Sequence, residues 1–113
     1  MKLHFNLNEF KMADQIQNLI VAGVGYFHQG VDILCHAEER TLIVIQTAQR
    51  YFLRSRSSFM EAKEIIQNSM VRGDAANSIP ERDVEDVEFF LRKVDSIISL
   101  THNFIIRNFI RFE

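Results

Sequence analysis

Apolar residues recur every three or four positions through the last third of the chain, and this repeat constrains the fold more than any other feature. The repeat consists of Val84, Val87, Leu91, Val94, Ile98 and Ile105. Thr101 is its one polar step, and Phe90, Ile97 and Phe104 widen it on one side. Because an α-helix has 3.6 residues per turn, this spacing predicts a long amphipathic helix with a broad apolar face. The pattern predicts architecture rather than chemistry, because such a face must pack against other helices.

Two earlier segments carry the same helical spacing. The first consists of Ile16, Ile20, Val24, Phe27, Val31 and Leu34. The second consists of Leu42, Ile45, Gln49, Phe52, Phe59 and Ile66. We therefore predict an all-α fold, an elongated three-helix bundle with up-down topology and coiled-coil-like seams, which forms a single domain over residues 1–113.

The helix ends are marked unevenly. Asn8-Glu9 indicates the start of the first helix, and Arg72-Gly73 the end of the second. The third opens at Ser78-Ile79-Pro80-Glu81, which has the spacing of a capping box. The start of the second helix near Glu39 is poorly marked, so the first two helices could form one kinked rod. Gly23, Gly25 and Gly30 either break the first helix or let a neighbouring helix approach closely, and a break between Gly23 and Gly25 would give a four-helix bundle.

The N-terminal segment has a different period. From Met1 to Asn8 the residues alternate, with Leu3, Phe5 and Leu7 on one side. Alternation of this kind predicts a short strand or extended arm. An all-helical monomer would offer such a strand no partner, which favours a second chain that covers it.

Composition limits the classes of function. Of the 113 residues, 47% are hydrophobic and 25% charged, which is typical of a globular domain. A net charge of −2 argues against general binding to nucleic acid or anionic membranes. Cys35 is the one cysteine, so we expect a buried thiol in a reducing cytoplasm. The longest apolar run, Leu19 to Phe27, is too short to span a bilayer, and the N-terminus does not resemble a signal peptide.

The third helix carries more apolar surface than one seam can bury, and this surface predicts a binding site. A monomeric bundle would leave part of the helix uncovered, so we expect a homodimer. The expected partner-binding residues lie at its C-terminal end. They are Phe104, Arg107, Phe109, Ile110, Arg111 and Phe112.

A metal site is one alternative function. His28, Asp32 and His36 are spaced four residues apart and share one face of the first helix. Imidazoles and a carboxylate one turn apart can bind one metal ion together. Metal sites in bundles also draw ligands from facing helices, which here offer few, so a solvated polar face is the competing interpretation.

A phosphate-binding or nucleic-acid-binding surface is a second alternative. Arg50, Arg54 and Arg56 alternate with Tyr51 and Phe52, and cations beside aromatic rings can bind phosphates and stack on bases. On a helix, however, the same spacing gives an ordinary amphipathic turn. An acidic segment opens the third helix and could form ion pairs with these arginines. It contains Glu81, Asp83, Glu85, Asp86 and Glu88.

The sequence contains no recognisable motif for catalysis or for cofactor binding. Ser55, Ser57 and Ser58 lack a histidine at motif spacing, and Cys35 and His36 are helix neighbours that point apart. The glycines at 23, 25 and 30 do not have the G-x-G-x-x-G spacing of a dinucleotide site. We therefore expect no enzyme activity and no cofactor.

One segment resembles a known family. Tyr26 to Leu34 reads YFHQGVDIL, which resembles the FHQGY(D/E)L segment in BAR domains of GTPase-activating proteins. The family usually has an aromatic residue where this chain has Val31. The resemblance implies an elongated three-helix dimer and, as a further alternative function, a scaffold for curved membranes.

The sequence thus predicts a cytoplasmic, non-enzymatic helical interaction protein. Its expected partner is another protein, with self-association into a homodimer. A chaperone, a regulator, an inhibitor and an assembly subunit all fit this description.

Overall fold

A computed structural model describes the backbone of residues 7–72 and 81–110, and the side chains of residues 11–70 and 81–110. It contains three α-helices: α1 (Leu7–His36), α2 (Leu42–Arg72) and α3 (Glu81–Phe109). No strand occurs in the described ranges. The predicted all-α fold is confirmed.

The helices run up, down and up, and the chain is elongated, with principal extents of 70 × 28 × 17 Å. α2 packs against both neighbours, whereas α1 and α3 touch each other little. α1 continues through Gly23 and Gly25, so the four-helix alternative is wrong. The kinked rod is also wrong, because residues 37–41 lie outside any helix and the chain reverses there.

Thr41 explains where α2 begins. Its Oγ1 accepts a hydrogen bond from the backbone N–H of Val44 at 3.3 Å, which satisfies one of the free donors of the first turn. The predicted start near Glu39 was therefore slightly early. At the N-terminus, Leu7 and Asn8 already belong to α1, so the predicted strand is wrong for these two residues. Met1 to Asn6 and the expected caps at Gly73 and Ser78 lie outside the described residues.

The core combines all three apolar stripes. Its buried residues are Ile16, Ile20, Phe59, Ala62, Ile66, Val87, Leu91 and Val94. The Phe90 ring, one helical turn after Val87 on α3, stacks on the Phe59 ring, and the two ring centroids are 5.3 Å apart. Each helix therefore buries the face that its periodicity predicts.

Two glycines of α1 let α2 approach closely. A Cβ at Gly23 would lie 2.6 Å from Phe59 Cζ, and one at Gly30 would lie 2.5 Å from Phe52 Cε1. The Ser55 hydroxyl donates a 2.6 Å hydrogen bond to the Gly23 carbonyl in the same contact. The second interpretation of the glycines, close approach, is therefore confirmed for Gly23 and Gly30, whereas no atom lies within 4 Å of a Cβ at Gly25.

Candidate protein-docking surface

The up-down-up topology brings three helix termini together at one end of the bundle. These are the C-terminal end of α1, the N-terminal end of α2 and the C-terminal end of α3. Ile45 and Thr101 are buried there, and the Gln49 side-chain amide donates a 3.1 Å hydrogen bond to Thr101 Oγ1. This bond joins α2 to α3 next to the surface described below.

An open cavity of about 280 Å³ lies between these termini. Its lining residues are Leu34, Arg40, Ile45, Leu100, Thr101 and Phe104. All three helices and the α1–α2 turn contribute to it. The cavity exists because α3 packs on α2 and leaves the space toward α1 open.

Large apolar side chains remain exposed along the C-terminal end of α3 and at Ile110, and two of them, Leu100 and Phe104, line the cavity. Leu100 is 64% exposed, Ile110 46%, Phe104 40% and Phe109 39%, and the rings of Phe104 and Phe109 are 6.3 Å apart. We call these four residues and Leu34 the turn-end patch. With roughly 200 Å² for a large apolar side chain, the four exposed fractions amount to about 400 Å². This is within the size range of patches that are often functional in monomeric proteins.

The predicted partner-binding residues lie in or beside this patch. Phe104, Phe109 and Ile110 belong to it, and Arg107 is exposed on the last turn of α3. Arg111 and Phe112 lie outside the described residues. Whether these residues bind a partner stays a prediction.

Sequence reasoning missed the contribution of α1 and α2 to this site, which is Leu34 in the patch and Ile45 in the cavity lining. Leu34 and Ile45 belong to apolar stripes and were interpreted only as core. Leu100 was not assigned to the site. The up-down topology was a usable signal, since it places the end of α1 beside the end of α3.

Exposed charged side chains of both signs lie in the α1–α2 turn and on the last turn of α3, next to the residues that line the cavity. Glu38, Glu39 and Arg40 are exposed in the α1–α2 turn, and Arg107 is exposed at the end of α3. Two acidic and two basic groups therefore lie near one apolar surface.

The proposed metal ligands remain separate. His28, Asp32 and His36 are exposed, and the His36 ring donates from Nδ1 to the Asp32 carbonyl oxygen at 2.9 Å. Among the side chains of residues 11–70 and 81–110, no three His, Cys, Asp or Glu form a group that could hold a metal ion.

Two of the three arginines proposed to bind phosphate have intramolecular contacts. Arg56 Nε donates to Asp95 Oδ1 at 2.8 Å, and the Arg54 guanidinium lies 5.6 Å from the centre of the Tyr51 ring. Arg50 is exposed. Arg56 therefore ties α2 to α3.

The acidic start of α3 shows one perturbed group. Burial raises the pKa of Asp83 and the nearby Asp86 carboxylate raises it further, while Arg82 acts in the opposite direction. Arg82 Nε also lies 4.0 Å from Asp86 Oδ2, one turn along the helix. The predicted pairing of this acidic segment with the arginines of α2 is not observed among the described side chains, since Arg56 pairs with Asp95 instead.

Two further observations bear on the expected environment. Cys35 is exposed, so the prediction that it is buried is wrong. In the part of the chain that the structure describes, no helix is long and apolar enough to cross a membrane.

The comparisons with known proteins add no relative. No protein-family model matches the chain, and no curated protein or solved structure matches it.

Proposed function

We propose that the protein is a non-enzymatic helical interaction protein that binds protein chains, its own included, through the turn-end patch. The observation that carries this proposal is the exposure of Leu100 and Phe104 at the mouth of the cavity floored by Ile45. Leaving large apolar side chains in water costs free energy, about 25 cal/mol for each Å² that a partner would cover. A partner that buries them recovers this free energy.

The cavity suits an anchoring side chain better than a reacting substrate. Its volume of about 280 Å³ accepts one large apolar side chain or more. Among the described residues that line it, Arg40 is the only ionisable group, so these residues offer no acid–base pair. Interfaces typically place an apolar or aromatic anchor in a pocket of this kind and surround it with polar groups.

A capture experiment with matched variants tests this proposal. Tagged wild-type chain, Leu100→Ser and Phe104→Ser are each incubated with lysate of the source cells, and bound proteins are identified by mass spectrometry. We expect the captured proteins, untagged copies of the chain included, to be lost with both variants. Direct titration with the purified partner then measures the change in Kd.

Phe89→Ser is the matched control. Phe89 is also exposed on α3, at 47%, but it lies three turns from Leu100 and outside the patch. Capture should survive this change. Equal loss with Phe89→Ser, or full retention with both patch variants, would contradict the proposed site.

A further inference from the structure

The turn-end patch has the composition of a self-complementary surface. We infer that its occupant is a second copy of this chain, in a two-fold dimer whose axis runs along the cavity between α1 and α3. This inference rests on the proposed function and names the partner at the same site. In such a dimer, the end of α3 of each protomer lies over the α1–α2 turn of the other.

The charges around the patch are the first observation that favours a second copy of the chain as the occupant. A patch surrounded by charges of one sign would repel its own copy. Here the turn side carries two carboxylates, Glu38 and Glu39, against one guanidinium, Arg40, so it is net negative, whereas Arg107 makes the α3 side positive. A two-fold axis along the cavity places the α3 side of one protomer against the turn side of the other. Arg107 of each protomer then faces Glu38 and Glu39 of the partner subunit.

The apolar area carries the second step. A two-fold contact covers the patch on both copies, which gives about 800 Å² of apolar surface from the estimate above. A stable interface buries roughly 1,200–2,000 Å² in total, of which somewhat over half is apolar. The patch and its charged surroundings are therefore large enough for a dimer without a further surface.

The cavity supplies the third step. The axis that pairs the charges also brings Leu100 and Phe104 of one protomer toward the side of the partner subunit's cavity that Leu34 lines. Each protomer thus offers both the protruding side chains and the space that receives them. A helix end with protruding side chains alone would need a partner of different shape.

Sedimentation velocity over a range of micromolar concentrations tests the dimer. We expect the wild-type chain to reach twice its mass of 13.2 kDa. Leu100→Ser, Arg107→Glu and Glu39→Arg should each weaken the dimer by about tenfold or more in Kd, because each removes apolar burial or places like charges together. Circular dichroism confirms that each variant keeps its helices, and Phe104→Ser replaces Leu100→Ser if that variant unfolds.

Mixing the two charge-reversed chains is the decisive measurement. In a mixed dimer of the Arg107→Glu and Glu39→Arg chains, one contact region holds the two reversed charges and the other keeps the wild-type pair. Both regions are then attractive, so differently tagged variants should associate more tightly with each other than either does with itself. Phe89→Ser is again the control, and its dimer should have the wild-type Kd.

Four outcomes would overturn the inference. They are a monomer at every concentration, a dimer that the patch variants leave intact, equal weakening by Phe89→Ser, and no recovery on mixing. A monomeric chain that still loses a captured partner on Leu100→Ser would refute the self-pairing alone. The proposed function would then stand with a different protein as the occupant. If neither self-association nor capture depended on the patch, both the proposed function and the inferred dimer would be refuted.

Discussion

Alanine substitutions at the three glycines of α1 should change the free energy of unfolding in opposite directions, with a loss at Gly23 and Gly30 and a gain at Gly25. At Gly30 the added Cβ would lie 2.5 Å from Phe52 Cε1, and at Gly23 it would lie 2.6 Å from Phe59 Cζ. Both rings are fully buried, so they cannot move aside without displacing their neighbours. Overpacking of this kind costs about 1–3 kcal/mol. The better helix propensity of alanine offsets about 1 kcal/mol of this cost, so the free energy of unfolding should fall by roughly 0–2 kcal/mol.

Gly25→Ala is the matched control on the same helix. No atom lies within 4 Å of a Cβ at this position, so the substitution gains helix propensity alone. We expect it to stabilise the protein by about 1 kcal/mol. The free energies of unfolding of Gly25→Ala and of the other two variants should therefore differ by roughly 1–3 kcal/mol.

Urea unfolding followed by circular dichroism measures this difference. A urea slope of roughly 1–3 kcal/mol/M makes a difference of this size readily visible in the midpoints. Combining Gly23→Ala with Phe59→Leu should cost less than the two single changes added together, because the smaller side chain leaves room for the methyl group. Midpoints for Gly23→Ala and Gly30→Ala as high as that of Gly25→Ala would refute the reasoning that ring contacts set the distance between α1 and α2.

Three further substitutions test contacts between and within the helices. Ser55→Ala removes the buried hydrogen bond to the Gly23 carbonyl and should lower the urea midpoint by an amount equivalent to about 1 kcal/mol. Thr41→Ala removes the cap of α2 and should cost about 1 kcal/mol, while Thr41→Ser should restore most of it. A double-mutant cycle on the half-exposed Arg56–Asp95 pair should give a coupling below about 1 kcal/mol that shrinks in high salt. A coupling that is large or independent of salt would show a more buried contact than the one described.

The buried faces of the helices could be predicted because helical periodicity is a local property. Val87, Leu91, Val94 and Thr101 of the α3 repeat are all buried, and Thr101 is buried because its hydroxyl is satisfied by backbone carbonyls and by Gln49. One sequence feature therefore predicted both an element and the face that it buries.

The interhelical contacts could not be predicted in the same way. Whether Gly23 breaks a helix or receives a ring depends on Phe59, which lies 36 positions later in the chain. The burial of a cysteine on α1 depends on whether a neighbouring helix covers it, and Cys35 is exposed. The cavity depends likewise on the limited contact between α1 and α3, for which the stripes give no signal.

The equal spacing of the glycines and phenylalanines also determines how α1 and α2 align lengthwise. Gly23 and Gly30 are seven residues apart, as are Phe52 and Phe59, and the helices are antiparallel. Sliding α2 by seven residues would put Phe52 on Gly23 but force Phe59 against the branched side chain of Ile16. Sliding it the other way would put Phe59 on Gly30 and leave Phe52 beyond the end of α1, opposite Ala37. Only one alignment accommodates both rings, so this pair of helices can select its register before α3 docks.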